Sequence, residues 1–115
     1  MIMKPVHYTD VEAEDVDVEG AEDTKIRWLI TKKDGAENFT MRLFDIDPGG
    51  HTPFHQHDWE HEVFIVSGSG KLRYKKGGEP FKQGDVIFVP SGEWHQFLNT
   101  SNELLQFICV IPYND

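Results

Sequence analysis

Five of the six histidines fall between residues 51 and 95, and four of them, His55, His57, His61 and His95, are spaced so that their imidazoles could meet at one point. His55 and His57 are two apart; on an extended strand both rings leave the same face and can share one ion. His61 follows four residues later, close enough to return on the neighbouring stretch of chain, and His95 arrives from a separate segment beyond the turn Pro90-Ser91-Gly92. A lone histidine on an apolar face is ordinarily structural. Four that can converge are a donor set for a divalent transition metal.

The other reactive residues suggest less. Cys109 is the only cysteine, which excludes an internal disulfide and any CxxC zinc or redox motif. It shares strand parity with Leu105, Phe107 and Ile111, so it is expected to face the interior, either as a packed thiol or as a thiol lining a metal cavity. His51 reads as an exposed loop histidine or as one near a barrel mouth that assists proton transfer, and His7 has no evident partner. No GxSxG elbow or P-loop is present, and Gly68-Ser69-Gly70 runs into Lys71-Leu72-Arg73 rather than completing GxGxxG, so acyl transfer and nucleotide binding lack their residues.

These side chains need a scaffold, and 115 residues suffice for one domain. Hydrophobic residues make up 38% of the chain and no apolar run reaches the roughly 18 residues of a membrane span, which predicts a soluble globular protein. Met1-Ile2-Met3-Lys4-Pro5 has no apolar core of a signal peptide, so a cytoplasmic location is expected. A net charge of -9 opposes binding to nucleic acid or to anionic membranes. Much of that charge lies in residues 10–23, which hold eight acids and no base. The segment reads as a solvated acidic loop or edge; an EF-hand reading of Asp15-Val16-Asp17-Val18-Glu19-Gly20 fails because Ile26 stands where the bidentate acid belongs and no helices flank it.

Turn signals recur at Asp34-Gly35, Pro48-Gly49-Gly50, Gly68-Ser69-Gly70, Gly77-Gly78, Gly84-Asp85 and Pro90-Ser91-Gly92. Between them lie segments rich in β-branched and aromatic residues: Ile26 to Thr31, Phe39 to Ile46, Glu62 to Val66, Val86 to Val89 and Leu104 to Ile111. Phe39, Met41 and Leu43 alternate with Thr40 and Arg42, as in a half-buried strand. About ten short strands in two packed sheets are expected, an all-β domain without a convincing helix.

At the histidines the sequence resembles the cupin superfamily. Gly49, five residues, then His55-Gln56-His57 begins that family's first motif, and Gly84, Pro90, Gly92, His95 and Asn99 match every fixed position of its second. The resemblance implies a double-stranded β-helix, or jelly roll, with a metal inside one open end. The family's acidic ligand would be Glu62 by one spacing, but only five residues then precede Gly68; His61 satisfies the spacings on both sides. The resemblance therefore implies a small cupin of the four-histidine type, with His55, His57, His61 and His95 as ligands. If His61 points inward, Val63 and Ile65 follow it into the core and Glu62 faces away.

Four neutral imidazoles leave a divalent ion its full charge, making it a stronger Lewis acid and disfavouring a higher oxidation state. In six-coordinate geometry they leave two positions for water, dioxygen or substrate, which suits Mn or Fe; Zn, Ni and Cu also accept imidazole, and tetrahedral Zn would be saturated. The reading ranked first is a metal-dependent oxygenase or related redox enzyme acting on a small organic molecule, in a barrel lined by Phe54, Phe97 and Phe107. A non-redox isomerase whose metal polarises a carbonyl, and a small-molecule binding protein without turnover, are the alternatives. Arg42 or Arg73 pointing into the cavity would favour an anionic substrate. A homodimer is expected, because a jelly roll leaves sheet edges to cover and Lys4 to Asp10 could lend a strand to a neighbour.

Overall fold

The structure, a computed structural model, describes residues 3–113; Met1 and Ile2, on which part of the leader reading rests, lie outside the described residues. Nine strands form among the described residues: β1 (Glu14–Asp15), β2 (Glu22–Ile30), β3 (Phe39–His51), β4 (His61–Ser67), β5 (Ser69–Tyr74), β6 (Gly77–Lys82), β7 (Val86–Val89), β8 (Gln96–Leu98) and β9 (Leu105–Pro112). All pairings are antiparallel. Their order is β6-β5-β8-β3-β9-β4-β7, with β2 on the free edge of β3 and β1 on β2. No helix is long and apolar enough to cross a membrane.

The long strand β3 joins the two halves of the roll. Its first part pairs with β9 from Phe39↔Pro112 to Ile46↔Leu105, and its last residue, His51, pairs with Leu98 of β8. Asp47-Pro48-Gly49-Gly50 carries the change of partner. Asn99 pins this crossing from within: it is buried, its amide nitrogen donates to the carbonyls of Ile46 (2.8 Å) and Glu103 (2.7 Å), and its oxygen accepts from Ser101. A buried amide satisfied on both ends holds two loops in one geometry.

The sheet curls around a core of Ile46, Val63, Ile65, Phe81, Val89, Phe97, Leu105, Phe107 and Cys109, drawn from six strands. Full burial of such apolar side chains contributes about 1.5–3 kcal/mol each against the ordering entropy. The single domain is a jelly roll with almost no helix; two 3-10 turns, Tyr8–Asp10 and Lys32–Asp34, are its other regular elements.

Two local expectations change. Burial in Phe39–Ile46 does not alternate cleanly: Thr40, Leu43 and Ile46 are buried, so both faces are partly covered, while Arg42 and Phe44 line the cavity and Phe39 is exposed. An arginine occupies an inward position because its guanidinium packs over Trp28 and Phe44, at 5.9 and 5.1 Å from their ring centres. Within a single chain residues 4–10 form no strand and Tyr8–Asp10 closes into a 3-10 turn, with the Arg27 guanidinium 5.2 Å from the Tyr8 ring centre; a strand lent to a neighbour belongs to the dimer proposed below. His51 is the half-buried last residue of β3, lying 3.2 Å from the Thr52 carbonyl and 3.3 Å from the Gln96 amide, and takes no part in lining the histidine cavity.

Candidate metal centre

Four imidazoles meet at one end of the roll. His55 and His95 face each other in an isolated antiparallel bridge, each backbone N–H donating to the other's carbonyl at 3.1 and 2.9 Å. His57 lies two residues on, and its carbonyl accepts from the Gly92 N–H at 2.7 Å, which ties the turn ahead of His95 to the His55–His57 segment. Gly92 makes that contact at φ 81, a left-handed conformation. His61 opens β4 opposite Val89 of β7. His55 lies 4.2 Å from His57 and 4.9 Å from His95, ring centre to ring centre, and His61 lies 5.1 Å from His57 and 4.9 Å from His95.

His55, His57 and His95 each offer a donor atom within 4.8 Å of the others. His61 stands beside this trio. Its Nδ1 faces Cys109 Sγ at 3.1 Å, while its Nε2 is buried with no hydrogen-bond partner. A buried ring nitrogen without a partner is costly, and a cation is a partner for it. His95 has the same division of labour: Nδ1–H donates to the Glu93 carbonyl at 2.9 Å, leaving the Nε2 lone pair for a metal. The residues present thus fit a divalent transition metal. Glu62 is exposed on the other face of β4 and is no part of the cluster.

Electrostatics keep the cluster in its ligand-ready form. Burial is the main cause in all four rings, aided by the Arg42 charge and, for His55, His57 and His61, by neighbouring histidines. It pushes His55 down to about 4 and His61 down to about 3, and lowers His57 and His95, with Asp58 opposing at His57 and the Glu93 carbonyl opposing at His95. Burial also raises the Cys109 thiol, against the pull of Arg42.

The cluster opens into a cavity of about 750 Å³. Phe54, Phe97 and Phe107 line it, as the sequence predicts, together with Trp28, Phe44 and Trp59. Arg42 points in. Arg73 instead bonds Gln96 at 3.2 Å and packs on the Phe54 ring. Glu14 to Glu19 line the cavity too. No local sequence signal marks that role, because it arises from the pairing of β1 with Lys25 and Ile26 of β2.

A cupin-domain family model matches residues 42–111. This chain belongs to the cupin family. The solved structure of the polyketide cyclase RemF from Streptomyces resistomycificus superposes on this cupin with a TM-score of 0.90 and 41% identity, covering 96% of this chain and 80% of that one. An oxalate-binding protein of Thermotoga maritima is 34% identical over 96 residues, 80% of this cupin and 78% of the relative. The 1-methylthio-D-xylulose 5-phosphate methylsulfurylase of Rhodospirillum rubrum is 31% identical over 71 residues, 62% of this chain; the match spans just under half of that relative, 46%.

Proposed function

We propose that this cupin is a metal-dependent enzyme that binds a flat, oxygen-rich, enolisable ketone and promotes ring closure by carbon–carbon bond formation. The observation that carries the reading is the cluster of four imidazoles at the wall of an aromatic-lined cavity of about 750 Å³. That volume suits a molecule of several rings far better than a two-carbon dicarboxylate. Likeness to a polyketide cyclase over 96% of the chain points the same way.

A divalent ion held by His55, His57, His61 and His95 would supply a Lewis acid for a carbonyl oxygen. The protein's part is to keep those imidazoles neutral, to orient them and to hold the substrate. The Glu93 carbonyl fixes the His95 ring, and the stack of Trp59 on His57, 4.5 Å apart and 7° from parallel, fixes the other. The aromatic walls fit a planar substrate. Ring closure is redox-neutral: a carbon activated by an adjacent carbonyl gives up a proton and bonds to a distant carbonyl carbon, whose oxygen takes a proton up, and the hydroxyl so formed then leaves as water with a second proton from the same carbon. No oxidant is needed, unlike the oxygenase reading raised from the sequence.

Oxygen consumption separates the two. Protein loaded with Mn is expected to convert an aryl triketone to a cyclised product lighter by one water, with no oxygen uptake and no conversion by the metal-free form. Uptake of dioxygen with a product heavier by one or two oxygen atoms would overturn the cyclase reading in favour of an oxygenase.

A further inference from the structure

Three adjacent strands of the roll, β9, β4 and β7, are apolar on both faces. Phe64-Ile65-Val66, Val86-Ile87-Phe88-Val89 and Ile108-Cys109-Val110-Ile111 run without a charged side chain. Val63, Ile65, Phe107 and Cys109 belong to the core, so the residues between them point to the other side of the sheet. Cross-strand partners share a face. On that outer face one row runs from Leu43 through Ile108 and Phe64 to Val86, and the next from Met41 through Val110 and Glu62 to Phe88. An antiparallel sheet with one face in water alternates polar with apolar residues, whereas strands that are apolar throughout are those covered on both sides.

In the single chain this second face is left in water: Phe64 is 45% exposed, Phe88 58% and Val86 76%. Glu62 is the one charge in the two rows. The following row is polar and tied together, with Asp45 accepting from Arg27 and from Gln106 at 2.9 Å each. An apolar centre with a polar rim is the anatomy of a protein interface. Four strands at a spacing of about 4.8 Å, with about 3.4 Å per residue, give the face a flat area of roughly 500 Å². The relief of its side chains adds to that, bringing it into the range of about 600–1,000 Å² that each partner of a stable interface buries.

We infer that a second copy of this chain packs on the outer face of β3-β9-β4-β7, sheet against sheet, about a two-fold axis. Two chains that each carry a net charge of -9 repel, and they repel least where their surfaces are nearly uncharged. This face meets that condition. The acidic residues Glu14 to Glu19 line the histidine cavity instead. A sheet face is also complementary to its own copy, since two aligned sheets interleave their side chains across about 10 Å and a two-fold axis sets the same patch on both sides. Arg42, His61 and Cys109 line the cavity from the opposite face of the same strands, so both cavities stay open in the pair. The inference is independent of the ketone reading above.

Light scattering of the full chain at micromolar concentration tests the assignment, with hydroxyl-radical labelling read by mass spectrometry as the second measurement. Wild-type protein is expected to give twice the chain mass. The double variant Phe64→Glu, Phe88→Glu sets two charges in the centre of the face and is expected to give one chain mass. Lys71→Glu, on the exposed side of β5 and away from this face, is expected to keep twice the chain mass. In wild-type protein, after correction for intrinsic reactivity, Phe64 and Phe88 are expected to be as protected from labelling as Phe107 in the core, and far more than Trp28, which is 43% exposed. One chain mass in wild type overturns the inference. Twice the chain mass in the double variant overturns it too, by placing the contact on the strand edges or the N-terminal residues, and dissociation of Lys71→Glu does so by placing it on β5. Should the double variant not fold, the labelling of wild type decides: Phe64 and Phe88 as reactive as Trp28 overturn the assignment.

Discussion

Cys109 Sγ sits where two side chains need an acceptor: Arg42 Nη2 at 3.0 Å and His61 Nδ1 at 3.1 Å. With the His61 proton on Nδ1 and donated to sulfur, the Nε2 lone pair is free for a metal, so in the proposed centre the thiol would set the tautomer of one ligand. Cys109→Ala removes that acceptor, and metal affinity is expected to fall about 10–100-fold, read by competition with a chromogenic chelator. Acid should act on the metal-free protein through the rings themselves. An unfolded imidazole takes its proton near 6.5, while folded His55 and His61 take theirs only near about 4 and about 3. Between those values the unfolded chain binds more protons, so stability is full above about 6.5 and is lost as pH falls towards 4 and 3. The urea midpoint of metal-free protein is expected to drop across that window; a midpoint flat down to the lower end would contradict the depressed values.

At the scale of elements, the turn Pro90-Ser91-Gly92 does more than reverse the chain. Gly92 at φ 81 places its N–H on the His57 carbonyl and delivers His95 opposite His55. Nothing crowds a Cβ there, so Gly92→Ala costs only the backbone strain, about 1–2 kcal/mol. It is expected to weaken metal binding measurably in a folded protein. Ile65, wholly buried in β4, is the contrasting case: Ile65→Ala is expected to cost about 2–5 kcal/mol in urea unfolding with metal stoichiometry unchanged. The His-x-His pair, the second glycine-proline motif and the strand segments were legible because period-two spacing and turn residues act locally. The direction of Arg42 was left open by the sequence, because alternation alone does not say which face of a strand is covered. Only the pairing of Arg42 with Cys109 across β3 and β9, and the aromatic rings around it, make an inward arginine stable. The acidic stretch was legible as an exposed edge but not as a cavity wall, since that depends on how β1 lies on β2.

At the scale of the molecule, the strand path ends at β6 and β7, and a row of unpaired backbone groups invites a partner. We propose a homodimer, so light scattering at micromolar concentration is expected to give twice the chain mass of 13.3 kDa, and a value of 13.3 kDa would reject it. The central claim is nonetheless the metal centre, because the cavity's chemistry and the substrate class both depend on it. Its most direct test is metal content per chain, measured by mass spectrometry of the elements, in wild type, His61→Ala and Glu62→Ala expressed and purified side by side. One divalent transition metal ion per chain is expected in wild type and in Glu62→Ala, with a loss of at least about tenfold in affinity for His61→Ala. Retention by His61→Ala with loss from Glu62→Ala would contradict the four-histidine centre.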